Sequence, residues 1–320
     1  MPISFRLARF RFTVCAKDHI RFPAYKGAVF RGGFGYAFKK IVCVVKGKPC
    51  DNCMLKQKCI YAYIFETPPP EDAGMLRLYP KVPHPFVIEP PADEKLLYTP
   101  GESFPFNLIL IGKAIEYLPY FIYTFTELGR QGIGKGRGKY DLTLVEGTGI
   151  NDESVPIYNG QDQILTNQFP IIYSRQLQHH NGSSDNDTLH ISLKTPVRLR
   201  FNGHITDILE FHVLVRNLLR RISSLSYFHC EERLEVDFKG LIEKASTIRQ
   251  THSDLHWHDW NRYSTRQEQW MSLGGVLGTV TYEGNNSEFI PFLKLGEFIH
   301  IGKGTSFGLG RYEIMKSSNK

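Results

Sequence analysis

The sequence holds little that a membrane could take up and few acids near its start. Its longest apolar stretch, Phe104 to Phe125, is broken by Lys113, Glu116 and Pro119, which makes it a poor bilayer span. The opening residues, Met1-Pro2-Ile3-Ser4-Phe5-Arg6, contain no apolar leader core. Both absences predict a cytoplasmic protein with reduced thiols. No Gly-x4-Gly-Lys-Ser/Thr string occurs, which excludes a P-loop nucleotide site. Acids are scarce where bases are dense: the first 40 residues hold Asp18 alone against Arg6, Arg9, Arg11, Lys17, Arg21, Lys26, Arg31, Lys39 and Lys40. That segment carries +8, whereas the whole chain carries +7, so the remainder is nearly neutral.

What is present suits a globular protein. The 320 residues are 42% hydrophobic and 22% charged, enough for one large domain or two ordinary ones. A concentrated positive segment suits a polyanion partner. Phe5, Phe10, Phe12, Phe22 and Tyr25 interleave with its bases, as single-stranded nucleic acid requires. A core strand with a solvated charged face gives the same pattern.

Periodicity places the elements. Ile3 to Val14 reads as a strand whose apolar parity switches, which predicts a bulge near Ala8 or Arg9. Phe30, Phe34, Ala37, Phe38 and Ile41 share a helical face. Gly32, Gly33 and Gly35 lie among them, implying close backbone approach or a helix end facing a ligand. Phe106 to Ile111 reads as a strand, Tyr117 to Leu128 as an amphipathic helix, and Tyr140 to Leu144 as another strand. From Glu146 to Asp187 the chain is rich in turn residues and reads as a connector. Beyond it, Ile208, Phe211, Val215, Leu218, Leu219 and Ile222 mark a helical face, Ile290 to Ile301 a short helix, and Tyr312 to Met315 a last strand.

Two glycine-rich loops match. Ile133-Gly134-Lys135-Gly136-Arg137-Gly138-Lys139-Tyr140-Asp141-Leu142 repeats as Ile301-Gly302-Lys303-Gly304, then Thr305 to Leu309, then Gly310-Arg311-Tyr312-Glu313-Ile314. Each follows a helix and precedes a strand, which excludes a dinucleotide fingerprint and implies two related α+β domains in tandem. The expected bounds are 1–145, a connector 146–187, and 188–320. Glycines that reach φ > 0 expose N–H groups able to cradle phosphate, with Lys135, Arg137, Lys303 and Arg311 as cations. One such loop alone also reads as a flexible turn.

Cys43, Cys50, Cys53 and Cys59 fall within 17 residues. In a reduced compartment this spacing predicts a structural Zn²⁺ knuckle, with an iron–sulfur cluster as the alternative and unligated core thiols as a third reading.

The run Trp257-His258-Asp259-Trp260-Asn261-Arg262-Tyr263-Ser264-Thr265-Arg266-Gln267, then Leu273-Gly274-Gly275-Val276-Leu277-Gly278, then His300 to Tyr312, resembles the RAMP-type CRISPR-associated endoribonucleases that process precursor crRNA. Phe30-Arg31-Gly32-Gly33-Phe34-Gly35-Tyr36-Ala37 and the Gly129 to Gly138 loop are similar more loosely. The resemblance implies two ferredoxin-like (RRM-like) βαββαβ domains. It implies cleavage of CRISPR repeat RNA without a catalytic metal, leaving a 2′,3′-cyclic phosphate and a 5′-hydroxyl. Repeat RNA, effector-complex subunits and a second copy are the implied partners, with no membrane. A non-catalytic RAMP subunit that only grips crRNA is the alternative.

In-line attack by a 2′-hydroxyl needs a base, an acid and cations. Many members of the family carry a catalytic His on or near the first helix, but Tyr25 to Val42 contains none. The candidates are therefore His300, beside the second loop, with Tyr36 (or Lys39 or Lys40) and Lys303. Arg31, Lys135, Arg137, Lys139, Arg262, Tyr263, Arg266, Gly302, Gly304, Thr305, Ser306, Gly308, Gly310 and Arg311 are the expected RNA contacts. His212, Arg216 and Arg220 form a helical stripe that also reads as a solvated face, and His300 equally reads as a helix-end packing group.

Overall fold

The structure, a computed structural model, describes residues 4–70, 74, 82–178, 188–264 and 269–315. They divide into two compact units. The first is Arg6–Ile172 with Phe228–Glu231, and the second is the rest.

The first unit runs β1 (Arg6–Ala16), α1 (Gly27–Val42), β2 (Phe86–Glu89), β3 (Ser103–Ile111), α2 (Leu118–Gln131) and β4 (Tyr140–Thr148). Its sheet has the order β2-β3-β1-β4, with every pair antiparallel. This is the ferredoxin-like βαββαβ arrangement. Ala8, Phe10, Phe12 and Val14 of β1 enter the core shared with both helices, while Leu7 is buried outside it. The parity switch is thus a strand that buries opposite faces at its two ends. Register against β3 is unbroken from Leu7 to Cys15, so the bulge expected near Ala8 is not there. The irregularity lies against β4, between Thr13 and Val14.

α1 packs on α2 through rings: Phe34 stacks on Phe121 with centroids 4.8 Å apart. Two of the α1 glycines allow close packing. A Cβ at Gly35 would sit 2.2 Å from the Phe65 ring, and one at Gly33 would press on Leu128 at 3.0 Å. The segment read as a connector is largely part of the first sheet. β4 ends at Thr148, and β5 (Ser154–Asn159) and β6 (Ile164–Leu165) add to its outer edge. The first unit therefore extends to Ile172 rather than to residue 145. Exposed polar positions on these added strands hid the alternation that marks a strand.

The second unit runs β7 (Thr188–Val197), α3 (Phe211–His229, apart from its last two residues), α4 (Phe238–Ala245), β8 (Arg249–His258), β9 (Gly275–Glu283), α5 (Ile290–Ile299) and β10 (Tyr312–Met315). Its sheet order, β8-β9-β7-β10, repeats that of the first unit strand for strand. Phe211, Val215, Leu218, Leu219 and Ile222 are buried on α3, whereas Ile208 precedes the helix and is exposed. Among the described residues no helix is long and apolar enough to cross a membrane.

Candidate nucleic-acid interface

The two glycine-rich loops are built on the same backbone bonds. Ile133 N–H donates to the Gly138 carbonyl at 2.9 Å, and Ile301 N–H donates to the Gly310 carbonyl at 2.9 Å. Lys135 N–H donates to the Arg21 carbonyl at 2.8 Å, as Lys303 N–H does to that of Arg198 at 3.0 Å. The buried Tyr140 hydroxyl donates to the Phe125 carbonyl at 2.9 Å, and that of Tyr312 to Leu293 at 2.6 Å. The first glycine of each loop has positive φ (77° at Gly134, 79° at Gly302), and a Cβ there would strike the carbonyl of Arg21 or Arg198.

These bonds alter the expected chemistry. The Lys135 and Lys303 N–H groups are spent inside the fold, so they do not cradle phosphate. What the loops turn outward are charged side chains: Lys135, Arg137 and Lys139 in the first, Lys303 in the second. Arg137 itself stands at φ +54°.

Around Lys303 the second unit gathers more charge. Partial burial first, then the guanidinium groups of Arg200 and Arg198, hold the Lys303 ammonium below the ordinary lysine range. A phosphate placed there relieves that repulsion. Asn217 of α3 fixes the hairpin carrying Arg200, accepting from the Arg200 N–H at 3.3 Å and donating to the Arg200 carbonyl at 3.1 Å. Arg216 lies over the Phe201 ring, 6.0 Å from its centroid, and the His212 ring meets Phe201 edge-on at 5.5 Å. Part of the His212–Arg216–Arg220 stripe thus converges with an aromatic face on this hairpin. Arg198 and Arg200 were missed in the sequence because no periodic pattern links a hairpin to a loop a hundred residues away.

Several expected contacts lie elsewhere. His300 has no exposed surface. Its Nδ1 is 3.1 Å from the Leu309 carbonyl, and its own carbonyl accepts from Arg221 Nε at 3.1 Å. It is a packing group at the end of α5, out of a substrate's reach. Thr305 and Ser306 are buried in a short helical turn, and Gly308 and Gly310 are buried beside them. Gly308 accepts from Thr195 Oγ1 at 2.9 Å. Gly302 and Gly304 are half-buried turn positions. Arg311 donates to Glu313 at 3.0 Å across the same strand. Arg262 and Tyr263 lie on a hairpin strand (Asn261–Ser264), and Arg266 lies outside the described residues.

The cysteines do not form the expected cage. Among the described residues, no three His, Cys, Asp or Glu side chains are placed to hold a metal ion. Cys43, Cys50, Cys53 and Cys59 are half-buried free thiols, and Cys43 donates to the Val45 carbonyl at 3.3 Å. Burial pushes the Cys50 thiol up, opposed by Lys39 and reinforced by Glu66, Cys43 and Cys59. The donor set as placed fits neither zinc nor an iron–sulfur cluster.

On α1, Tyr36 is 70% exposed, and Lys39 lies 5.4 Å from the Tyr61 ring centroid. Arg31 faces elsewhere, about 140° round the helix from Tyr36. Its guanidinium covers the Phe65 ring at 4.3 Å and meets His84 Nε2 at 3.0 Å. His84, set between Pro83 and Pro85 and half-buried, was not singled out in the sequence.

Comparison with known proteins follows the same division. A family model described as the AF_1859_N N-terminal domain matches residues 5–170. One described as CRISPR-associated endoribonuclease Cas6 matches residues 191–312. An uncharacterized protein of Archaeoglobus fulgidus is 25% identical over 98% of this chain and 99% of its own length. Among solved structures, a Thermus thermophilus Cas6 in a product complex is similar at TM-score 0.59 and 13% identity, over 97% of this chain and 99% of that one. A Cas6-RT-Cas1–Cas2 complex is similar at TM-score 0.62 and 14% identity over 100% of this chain, which spans 47% of the matched chain. These likenesses are of fold. The family models divide as the fold does: residues 5–170 match the AF_1859_N N-terminal domain, and residues 191–312 carry the domain of the CRISPR-associated endoribonuclease Cas6 family.

Proposed function

We propose that this protein cuts CRISPR repeat RNA in precursor transcripts to make crRNA. In this reading the 2′-hydroxyl attacks the adjacent phosphate, the 5′-oxygen leaves, and the products are a 2′,3′-cyclic phosphate and a 5′-hydroxyl, with no catalytic metal. The observation that carries it is the doubled loop: two ferredoxin-like units, each turning a lysine outward on a loop tied down by its own backbone. The cluster of Lys303, Arg200, Arg198 and Arg216 beside Phe201 suits a phosphodiester with a stacked base. The family's endoribonuclease description and the likeness to a Cas6 product complex support RNA processing.

The test is single-turnover cleavage of the host's repeat RNA in EDTA, beside a substrate with one 2′-deoxy nucleotide upstream of the cut. Cleavage in EDTA that the deoxy substitution abolishes is expected. Binding without cleavage would instead favour the gripping subunit, a reading kept in view by the burial of His300 and the lack of histidine on α1.

A further inference from the structure

The proposed cut needs a group that takes a proton from a 2′-hydroxyl, and His300, the histidine among the catalytic candidates, is buried. Three other described histidines are engaged in different ways. His229 is buried, with Nε2 2.8 Å from the Pro83 carbonyl and Nδ1 3.2 Å from the Tyr63 hydroxyl. His190 meets Thr281 at 2.9 Å, and His212 lies 3.3 Å from Glu210.

His84 differs in what its two nitrogens face. Nδ1 is 3.3 Å from Thr67 Oγ1, and that hydroxyl donates its hydrogen to the Val82 carbonyl at 2.8 Å. The Thr67 oxygen is therefore an acceptor, and Nδ1 carries the ring proton. Arg31 brings a donor to Nε2 at 3.0 Å, so Nε2 holds a lone pair. Phe86 and Phe65 stack on the imidazole at 5.7 and 6.1 Å and hold its plane. Thr67 adopts φ +46°, the left-handed region that a β-branched residue rarely enters. Such strain collects where a site needs a fixed geometry, and Thr67 here sets its oxygen 3.3 Å from His84 Nδ1. The ring is half-buried, so part of it meets solvent.

We propose that His84 is the general base of the RNA cleavage proposed above, with Arg31 as the cation that delivers the phosphate to it. This rests on that reading. A phosphate oxygen is a stronger acceptor for a guanidinium than an imidazole nitrogen is. An arriving phosphodiester draws Arg31 off Nε2 and uncovers the lone pair. Nε2 takes the proton from the 2′-hydroxyl as the 2′-oxygen bonds to phosphorus. The bond from phosphorus to the 5′-oxygen breaks, and that oxygen takes a proton from water. The hydroxide left behind recovers the proton from His84, so the imidazole returns neutral and the phosphate keeps one negative charge.

The experiment compares wild type, His84→Gln and His84→Ala in single-turnover cleavage and equilibrium binding of repeat RNA. Gln keeps an acceptor and a donor for Arg31 and Thr67 but cannot carry the proton. Both variants are expected to cut at least about 100-fold more slowly, with affinity within about twofold of wild type. Added imidazole is expected to restore part of the rate in His84→Ala and none in His84→Gln. A His84→Gln rate within about threefold of wild type would overturn the assignment. Loss of RNA affinity together with rate in both variants, without rescue, would make His84 a structural prop and overturn it too. Wild type that binds the repeat without cutting it, or that cuts the 2′-deoxy substrate, would overturn the proposed reaction itself and this base with it.

Discussion

The two glycine-rich loops differ in what they do with the same skeleton. Each closes one Ile-to-Gly backbone bond, hangs its lysine N–H on a distant arginine carbonyl, and is anchored by a buried tyrosine hydroxyl on the preceding helix. The first loop is short and shows Lys135, Gly136 and Arg137 to solvent. The second inserts Thr305–Phe307, turns that insertion into the fold, and pairs Arg311 with Glu313. What the duplication preserves is a backbone device. Charge is placed anew around it, on Arg137 and Lys139 in one unit and on Arg198 and Arg200 in the other. A motif shared by both copies thus marks structure, and the differences between the copies mark specialised contacts.

Four sets of substitutions, at Arg221, at Gly310 and Gly136, at the two tyrosines and at the two lysines, test this contrast from the largest effect to the smallest. Arg221 makes three hydrogen bonds to the Ile299 and His300 carbonyls, just ahead of the second loop. Arg221→Ala leaves buried carbonyls at a helix end without their charged donor and should cost about 3 kcal/mol in urea unfolding of the second unit. Gly310→Ala should cost at least about 2 kcal/mol in the same assay, because its Cβ falls 1.9 Å from the Ile301 carbonyl at φ +77°. Gly136→Ala, with open space at its Cβ, should cost only the strain of positive φ, about 1 kcal/mol. A similar cost at both positions would contradict the division into a buried loop and an exposed one.

Tyr140→Phe and Tyr312→Phe each remove one buried hydroxyl bond and should lower stability about equally, by about 1 kcal/mol. A clearly unequal loss in thermal unfolding would break the equivalence of the two anchors. The smallest effects are on binding. Lys135→Gln and Lys303→Gln should each flatten the salt dependence of repeat-RNA affinity by about 0.7 in logarithmic slope. The Lys303 contribution is complete below its own pKa and lost as pH rises through it. Since burial and the two arginines lower that pKa, the gap between wild type and Lys303→Gln should close at a lower pH than an ordinary lysine would give. A gap that persists to the pH of an ordinary lysine would show that the cluster does not act on Lys303.

Much of the fold was legible before any coordinates. Matching strings such as Ile133-Gly134-Lys135-Gly136 and Ile301-Gly302-Lys303-Gly304 revealed the duplication, and the alternating phenylalanines marked β1. Elements without such patterns were invisible. β8 is exposed along nearly its whole length, so no apolar alternation announces it. β2 is four buried residues, too short to show a period. At the site, residue type was a poorer guide than position. His300 has the right chemistry but lies inside the protein. His84 owes its setting to Arg31 and Thr67, which approach from two remote segments that no local spacing connects.

The central place of β1 also has a consequence during synthesis. This strand is made first, yet it lies inside its sheet between β3 and β4, so its second partner is not available until Thr148 has been added. At ribosomal speeds of about 10 residues per second, the apolar side chains of β1 wait on the order of ten seconds for that partner. Arg9 and Arg11, alternating with Phe10 and Phe12, are half-exposed in the finished sheet. In the nascent chain the same charges discourage β1 from pairing with another unfinished copy, a protection that acts before the sheet is complete.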